Sequence, residues 1–177
     1  MSRNIEIKAR LSESQFASIL NLATDLAGGL SDTLKQKDTY FDAPNGRLKL
    51  REFDGGSAEL IGYQREDCLD PTASHYYRTS IANTEDVENL IQSLKITVGI
   101  RSVVRKTRQL FLCDRTRIHL DQVDSLGKFI ELEVVLSENQ TDQEGIETAH
   151  QLMAKLSIPE SQLITDSYID LLEQVVA

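Results

Sequence analysis

The segment 129–136 (Phe-Ile-Glu-Leu-Glu-Val-Val-Leu) alternates between polar and apolar residues and predicts a β-strand. Successive strand side chains point to opposite faces, so Glu131 and Glu133 share one face while Ile130, Leu132, Val134 and Leu136 share the other. Two such carboxylates lie roughly 7 Å apart and repel each other unless a cation lies between them. Mg²⁺ or Mn²⁺ would suit, because both prefer carboxylate oxygens. The alternative is an amphipathic strand with a solvated acidic face.

Similar alternation recurs along the chain and predicts about eight strands, at 4–10, 33–41, 47–51, 59–65, 74–81, 100–112, 116–123 and 128–136. Helical spacing predicts a helix that begins with a capping box at 12–15 and ends at Gly28, and another that is N-capped by Thr84. Two further helices are expected at about 142–156 and 167–175.

Most of the predicted strands are joined as hairpins, for example through the turns 43–46 and 124–127. This pattern favours an α+β fold with one antiparallel sheet, which at this size is expected to curve strongly or to close. The sequence contains no linker and no internal repeat, so residues 1–177 are expected to form a single domain.

The two faces of these strands differ in character. One face is aliphatic, and the other carries charges of both signs: Glu6, Lys8, Arg47, Lys49, Arg51, Arg65, Lys106, Arg108, Arg117, Asp121, Glu131 and Glu133. Helices need an apolar surface to pack on, and the outer wall of a barrel can supply it. In a barrel of this kind the polar faces would point inward and line a channel, with the helices packed on the outside. The alternative is a half-covered sheet whose charged face meets solvent.

A charged interior would place many cations beside several carboxylates, and unpaired buried charges are unfavourable by several kcal/mol each. A polyanion with a divalent metal ion would satisfy both sets of charges. Arg and Lys bind phosphate oxygens, and carboxylates bind Mg²⁺ or Mn²⁺. The combination therefore indicates metal-dependent phosphate chemistry.

The composition and net charge limit the classes of partner that the protein is expected to bind. The chain has 177 residues and a net charge of −9, which argues against general binding to nucleic acid or to an anionic membrane. No apolar run approaches the roughly 18 residues of a membrane span and no signal peptide is visible, so a cytoplasmic protein is expected. The two cysteines and three histidines lack metal-binding spacing, and no Gly-rich phosphate loop or nucleophile motif is present.

Several segments taken together resemble a known family, the CYTH domain of the triphosphate tunnel metalloenzymes. This family includes class IV (CyaB-type) adenylyl cyclases and thiamine triphosphatases. The matching segments are Asn4-Ile5-Glu6-Ile7-Lys8, Lys49-Leu50-Arg51, Arg65, Lys106-Thr107-Arg108, Asp121 with Leu126-Gly127-x-Phe129-x-Glu131-x-Glu133, and Ser167-Tyr168-Ile169-Asp170-Leu171-Leu172.

The resemblance implies a closed eight-stranded antiparallel β-barrel, a tunnel with a polar interior and helices packed on the outside. Such a tunnel is expected to bind an organic or inorganic triphosphate with Mg²⁺ or Mn²⁺. The implied metal ligands are Glu6, Asp121, Glu131 and Glu133. The implied triphosphate-binding cations are Lys8, Lys49, Arg51, Arg65, Lys106, Arg108 and Arg117, and the implied catalytic residues are Lys8, Glu131 and Glu133. Asn4 stands where the family has its first Glu and brings no charge, so we expect a weaker or single metal site.

Three functions are compatible with this sequence. The first is a metal-dependent triphosphatase, in which water attacks a phosphorus atom. The second is an adenylyl cyclase that converts ATP to cyclic AMP and pyrophosphate, and the third is a non-catalytic triphosphate or polyphosphate binder. The triphosphatase ranks first, because no sequence feature clearly supplies a purine pocket. The expected partner is a triphosphate such as ATP, thiamine triphosphate or tripolyphosphate, and the expected state is a monomer or homodimer.

Overall fold

Strands dominate the computed structural model, which describes residues 4–64, 72–73 and 75–176. The strands are β1 (Asn4–Leu11), β2 (Asp32–Phe41), β3 (Arg47–Phe53), β4 (Ala58–Gln64), β5 (Thr72–Ala73), β6 (His75–Ile81), β7 (Ile100–Cys113), β8 (Thr116–Val123) and β9 (Gly127–Val135). The helices are α1 (Glu13–Ala27), α2 (Thr84–Thr97), α3 (Asp142–Lys155) and α4 (Tyr168–Val176), with a short 3₁₀ helix at Glu160–Gln162. None of the helices within these ranges is long and apolar enough to cross a membrane.

The eight predicted strands are all present, with ends shifted by one or two residues, and β5 is an additional two-residue strand. All strands pair antiparallel in a single sheet with the order β5-β1-β9-β8-β7-β2-β3-β4-β6. The α+β class and the antiparallel sheet are therefore confirmed.

Closure of the sheet into a barrel is not confirmed. In the part of the chain that the structure describes, no hydrogen-bonded pairing joins β5 to β6, the two strands at the ends of the order. One residue separates these two strands in the sequence, so their facing ends are only about 7 Å apart. A nine-stranded sheet whose edges come this close must be strongly curved, which gives it a concave face.

Local sequence signals account for the helix ends. Ser12 caps α1 with the predicted capping box, and Gly28 ends that helix in the left-handed conformation at φ 72°. For α2 the predicted cap, Thr84, is wrong by one residue. Asn83 is the cap, because its side chain accepts a hydrogen bond from the Asp86 backbone N–H.

The main hydrophobic core lies on the outer face of the sheet. There α1 and α3 cover the apolar residues of β1, β7, β8 and β9, including Ile5, Ile7, Phe111, Ile118, Ile130 and Leu132. A smaller cluster packs α2 against β2, β3 and β4 through Val87, Phe41, Leu50 and Ala58. This arrangement confirms that the aliphatic strand faces point outward beneath helices.

Helix α4 differs from the other three, and here the prediction that helices pack on the outside is wrong. Its first residue, Tyr168, packs edge-on against Phe129, with ring centres 5.0 Å apart. Phe129 shares its strand face with Glu131, so Tyr168 lies on the charged face of the sheet. The apolar cluster around Tyr168, Phe129 and Tyr40 therefore closes one end of the concave face.

Gly145 marks the closest approach of α3 to the sheet. A Cβ atom there would lie 2.5 Å from Leu136 Cδ2 and 2.7 Å from Ile5 Cγ1. We expect Gly145→Ala to destabilise the protein by about 1–2 kcal/mol, because overpacking outweighs the gain of about 1 kcal/mol in helix propensity. Urea unfolding measures this, with the exposed Ser18→Ala in α1 as the control. A Gly145→Ala protein as stable as the parent would contradict this packing.

Candidate functional site

A cavity of about 360 Å³ lies on the concave, charged face of the sheet. Its wall comes from β1–β4 and β6–β9, with Tyr168 of α4. Among the described residues, seven cations and four carboxylates line it: Lys8, Lys49, Arg51, Arg78, Lys106, Arg108, Arg117, Glu6, Glu59, Glu131 and Glu133. Positive charge is thus concentrated in the cavity of a chain whose net charge is −9. The polar interior that the alternation predicted is present.

Asp38 on β2 lies behind the cations of β3 and is 2% exposed. Arg51 donates two hydrogen bonds of 2.7 Å to its carboxylate, and Lys49 donates a third of 3.0 Å. Burial alone would raise the pKa of Asp38, but Arg51 and Lys49 outweigh burial and hold that pKa well below its usual value. The ionised carboxylate therefore fixes both cations at the cavity wall.

Asp121 on β8 holds the cations of β7 in the same way. Arg108 donates hydrogen bonds of 2.7 and 2.6 Å to its two oxygens, and Lys106 Nζ lies 3.9 Å from Oδ2. The Tyr168 hydroxyl donates a further hydrogen bond of 2.8 Å. Burial alone would raise the pKa of Asp121, but Arg108 and Lys106 reverse the effect and lower it to about 2.

Asp121 is placed differently from the other three carboxylates implied as metal ligands. Asp121 is fully buried and is absent from the described cavity wall. Both of its oxygens already accept hydrogen bonds from Arg108. In this arrangement Asp121 positions the cations of β7, and its implied role as a metal ligand stays a prediction.

The remaining carboxylates follow from the register of β1, β9 and β8. Glu133 lies directly opposite Glu6 on one side and Arg117 on the other, and Asn4 donates a hydrogen bond of 2.6 Å to it. Arg117 donates to both Glu133 oxygens at 3.2 Å. Two carboxylates opposite each other on neighbouring strands, about 5 Å apart at Cβ, are destabilising unless a positive group compensates them.

Glu131 lies one row further along the same strands, between Lys8 and His119. Arg108 donates to its Oε1 at 3.3 Å, and Lys8 Nζ lies 3.9 Å from Oε2. Burial alone would raise the pKa of Glu131, but Arg108 outweighs it and keeps that pKa well below the usual value. Lys8 also lies 4.5 Å from the centre of the Tyr168 ring.

The donor atoms of this acidic group fit a hard divalent cation. Glu6, Glu131 and Glu133 offer carboxylate oxygens, and Asn4 offers an amide oxygen. Within residues 4–64, 72–73 and 75–176, no three acidic, His or Cys side chains stand together as a ready metal site. Glu131 and Glu133 accept hydrogen bonds from Arg108 and Arg117 instead. Metal binding would therefore require Arg108 and Arg117 to move away from these carboxylates and to pair with another anion.

The cavity brings together nearly all of the predicted site residues. Arg117 is the most exposed of them, with 45% of its side chain accessible, whereas Lys106 and Arg108 are buried. Arg65 lies outside the described residues. The residues on the wall are Glu6, Lys8, Lys49, Arg51, Lys106, Arg108, Arg117, Glu131 and Glu133.

Sequence reasoning missed several residues of the site. Gln36, Asp38 and Tyr40 share one face of β2 by simple alternation, so the signal for Asp38 was present but carried no motif. His119 alternates with Arg117 and Asp121 along β8 and so shares their face, but the sequence pattern gives it no role. Tyr168 reaches the cavity through the docking of α4, which the local sequence pattern does not encode.

The chain belongs to the CYTH domain family, whose model matches residues 2–168. Among curated proteins, it is 26% identical over 178 aligned positions to the adenylate cyclase CyaB of Aeromonas hydrophila, covering 96% of this chain and 88% of that protein.

Solved structures share the fold. The PH1012 protein of Pyrococcus horikoshii superposes with a TM-score of 0.79 at 20% identity, covering 95% of this chain and 98% of that one. The Hippeastrum protein HpAC1, for which a dominant triphosphatase activity is described, superposes with a TM-score of 0.67 at 15% identity. That match covers 99% of this chain and 96% of HpAC1. At these identities the likeness concerns the fold alone.

Burial and the neighbouring Arg108 lower the pKa of Lys106 to about 7. Lys106 is therefore mostly neutral at about pH 8.5, and an anion bound beside it favours its charged form. We expect tripolyphosphate binding at this pH to take up nearly one proton, and we expect affinity to fall as the pH rises above 7. Isothermal titration calorimetry in buffers of different ionisation enthalpy measures the uptake.

Lys106→Arg is the matched control, because arginine stays charged over this whole range. This variant should bind tripolyphosphate without the proton uptake. The same uptake in the parent and in Lys106→Arg would show that the proton belongs to another group.

Proposed function

We propose that this protein binds a triphosphate in the cavity and hydrolyses it with the help of a divalent metal ion. The observation that carries the proposal is the pair of buried aspartates, Asp38 and Asp121, each of which holds one Arg and one Lys at the wall. We name these groups the Asp38 clamp (Asp38, Arg51, Lys49) and the Asp121 clamp (Asp121, Arg108, Lys106).

The spacing of the two clamps supports a linear polyanion. Their arginines come from β3 and β7, which flank β2, so the two strands are roughly 10 Å apart across the sheet. Both side chains line the same cavity, and a chain of three phosphates can contact the two arginines along its length. Arginine held in a fixed plane is suited to bidentate contacts with phosphate oxygens.

CYTH membership implies dependence on a divalent metal ion. Glu6, Glu131, Glu133 and the Asn4 amide oxygen would hold it. When bound, such an ion neutralises phosphoryl oxygens and orients the attacking water.

The residues of the chain supply positioning and charge. The two clamps bind non-bridging oxygens of the triphosphate and neutralise the charge that develops as the phosphoryl group is transferred. Lys8 lies between Glu131 and the Tyr168 ring. Its ammonium group would therefore bind phosphate oxygens beside the candidate metal ligands. A triphosphate that draws Arg108 and Arg117 away from Glu131 and Glu133 also frees those carboxylates, so anion and metal binding reinforce each other.

Adenylyl cyclase activity is the second candidate, and the match to CyaB favours it. In that reaction the 3′-hydroxyl of ATP attacks the α-phosphorus and pyrophosphate leaves. The triphosphatase ranks first because hydrolysis requires only that the phosphates and a water be positioned, which the two clamps and the acidic group can do, whereas cyclisation also requires the ribose to be held with its 3′-hydroxyl aligned on the α-phosphorus.

Product analysis separates the candidates. The protein is incubated with ATP, thiamine triphosphate or tripolyphosphate, with Mg²⁺ or Mn²⁺ present. Release of orthophosphate supports the proposal, whereas cyclic AMP with pyrophosphate identifies a cyclase. Binding without turnover identifies a non-catalytic binder and would overturn the proposed hydrolysis.

We expect Glu131→Gln with Glu133→Gln to lower metal-dependent turnover by roughly 100-fold or more, because the amides keep the shape and lose the charge. Circular dichroism and thermal unfolding show whether the fold is kept. The control is Glu88→Gln with Glu147→Gln, two exposed positions on α2 and α3. Full activity in the cavity variant would count against the acidic group as the metal site.

We expect Arg51→Ala to weaken tripolyphosphate binding by roughly 10- to 100-fold, the usual effect of losing charged hydrogen bonds. Orthophosphate binding should change much less, since a single phosphate can still use the Asp121 clamp. Calorimetric titration of both ligands measures the difference, with the exposed Arg105→Ala on β7 as the control. An equal loss for both ligands would argue against two clamps sharing one triphosphate.

A further inference from the structure

The ring of Tyr168 contacts two lysines that come from distant strands of the sheet. Lys8 Nζ, on β1, lies over the ring at 4.5 Å from its centre, and Lys106 Nζ, on β7, lies over it at 5.1 Å. Strands β9 and β8 separate β1 from β7, so the two strands would be roughly 14 Å apart in a flat sheet. The curved sheet therefore brings both ammonium groups to one aromatic side chain in the cavity wall.

The carboxylates near these lysines attract the ammonium groups without defining their direction. Glu131 Oε2 lies 3.9 Å from Lys8 Nζ, and Asp121 Oδ2 lies 3.9 Å from Lys106 Nζ. Both distances exceed the range of a hydrogen bond. Lys8 also donates a long hydrogen bond of 3.5 Å to the backbone carbonyl of Asp166. Contact with the ring adds a direction that the two ion pairs leave undefined.

The side chain of Tyr168 is itself held in place by the sheet. Its hydroxyl donates a hydrogen bond of 2.8 Å to Asp121, and its ring packs edge-on against Phe129 at 5.0 Å. The whole residue is buried. A ring held at both its edge and its hydroxyl has a fixed plane, and a fixed plane is what an orienting contact requires.

Arg47 on β3 fixes the first turn of α4, which carries Tyr168. Arg47 donates a hydrogen bond of 2.6 Å to the Oγ of Ser167, the residue just before Tyr168, and another of 3.0 Å to Asp170. Ser167 Oγ also donates to Asp170 at 2.6 Å. The backbone at Tyr168 is therefore held independently of the contacts that its side chain makes.

An aromatic ring is well suited to orient an ammonium group that must also bind an anion. The face of the ring attracts the positive charge and leaves the three N–H groups of a lysine available as donors to phosphate oxygens. A carboxylate in the same place would add negative charge, which repels a triphosphate. The ring of Tyr168 attracts both lysines without this penalty.

We propose that Tyr168 is a positioning residue that directs the ammonium groups of Lys8 and Lys106 toward the phosphates. The strands supply the two lysines, and docking of α4 supplies the ring that orients them. The hydroxyl has a separate part, since its hydrogen bond to Asp121 fixes the plane of the ring. This inference rests on the proposed triphosphate site and adds the residue that orients two of its cations.

Nuclear magnetic resonance tests the geometry without any ligand. Protons that lie over the face of an aromatic ring resonate upfield, so we expect upfield-shifted Cε protons for Lys8 and Lys106 in the parent protein. Tyr168→Phe should keep both shifts because it keeps the ring, whereas Tyr168→Leu should lose both. Lys8→Arg and Lys106→Arg assign the two signals. The parent spectrum gives this test even if Tyr168→Leu is too unstable to measure.

Calorimetric titration with tripolyphosphate tests the positioning role, in metal-free buffer at about pH 6, where Lys106 is mostly charged. We expect Tyr168→Leu to bind about tenfold more weakly, because contacts between a cation and the ring are lost for two lysines. Tyr168→Phe should stay within about twofold of the parent. Leu171→Ala is the matched control, because it removes a buried side chain of α4 from the same apolar cluster and keeps the ring. It too should stay within about twofold.

The possible failures are distinct. Unshifted lysine signals in the parent would overturn the geometry on which the inference stands. Tripolyphosphate binding that survives Tyr168→Leu, or that Leu171→Ala weakens as much, would overturn the positioning role and leave the triphosphate site standing. Absence of tripolyphosphate binding by the parent would overturn that site and this inference together.

Discussion

Two ionised aspartates beneath the concave face allow this sheet to carry cations on its inner side. Without Asp38, the partly buried Arg51 and Lys49 would lose the carboxylate to which both donate; without Asp121, the buried Arg108 would keep only its longer contact with Glu131, and unpaired buried charges cost several kcal/mol each. With them, each Arg is held by two hydrogen bonds and keeps its charge at the cavity wall. The polar interior is thus stable before any ligand arrives, and the aliphatic faces are free to form the core beneath α1, α2 and α3.

The same pairing links the cavity to its candidate chemistry. The carboxylates of Glu131 and Glu133 accept hydrogen bonds from Arg108 and Arg117, and like-charged Glu6 lies directly opposite Glu133. A polyanion competes for the arginines, and a divalent cation competes for the carboxylates, so each would loosen the contacts that oppose the other. Binding of the two ligands is therefore expected to be cooperative.

Much of this arrangement could be predicted from the sequence, because a strand has a period of two residues. The alternation in β1, β3, β7, β8 and β9 placed the charged residues on a common face, and the turn at 124–127 placed the acidic pair beside β8. The capping box at Ser12 located α1 by local chemistry alone. These features depend on neighbours in sequence or on one hairpin.

The features that the sequence does not predict depend on contacts between segments that are distant along the chain. Asp38 sits in a strand with no recognisable motif, and its importance arises from the pairing of β2 with β3. Tyr168 begins a short helix, and its place on the charged face depends on how α4 docks. Asp121 has the right residue type for a metal ligand, but Arg108 and Tyr168 occupy its oxygens.

A crystal structure of the protein with tripolyphosphate and Mn²⁺ tests the central claim most directly, since Mn²⁺ is located by its anomalous signal. The account predicts phosphate oxygens on Arg51 and Arg108 and Mn²⁺ among Glu6, Glu131 and Glu133, whereas an anion bound elsewhere with the clamps unchanged would contradict it.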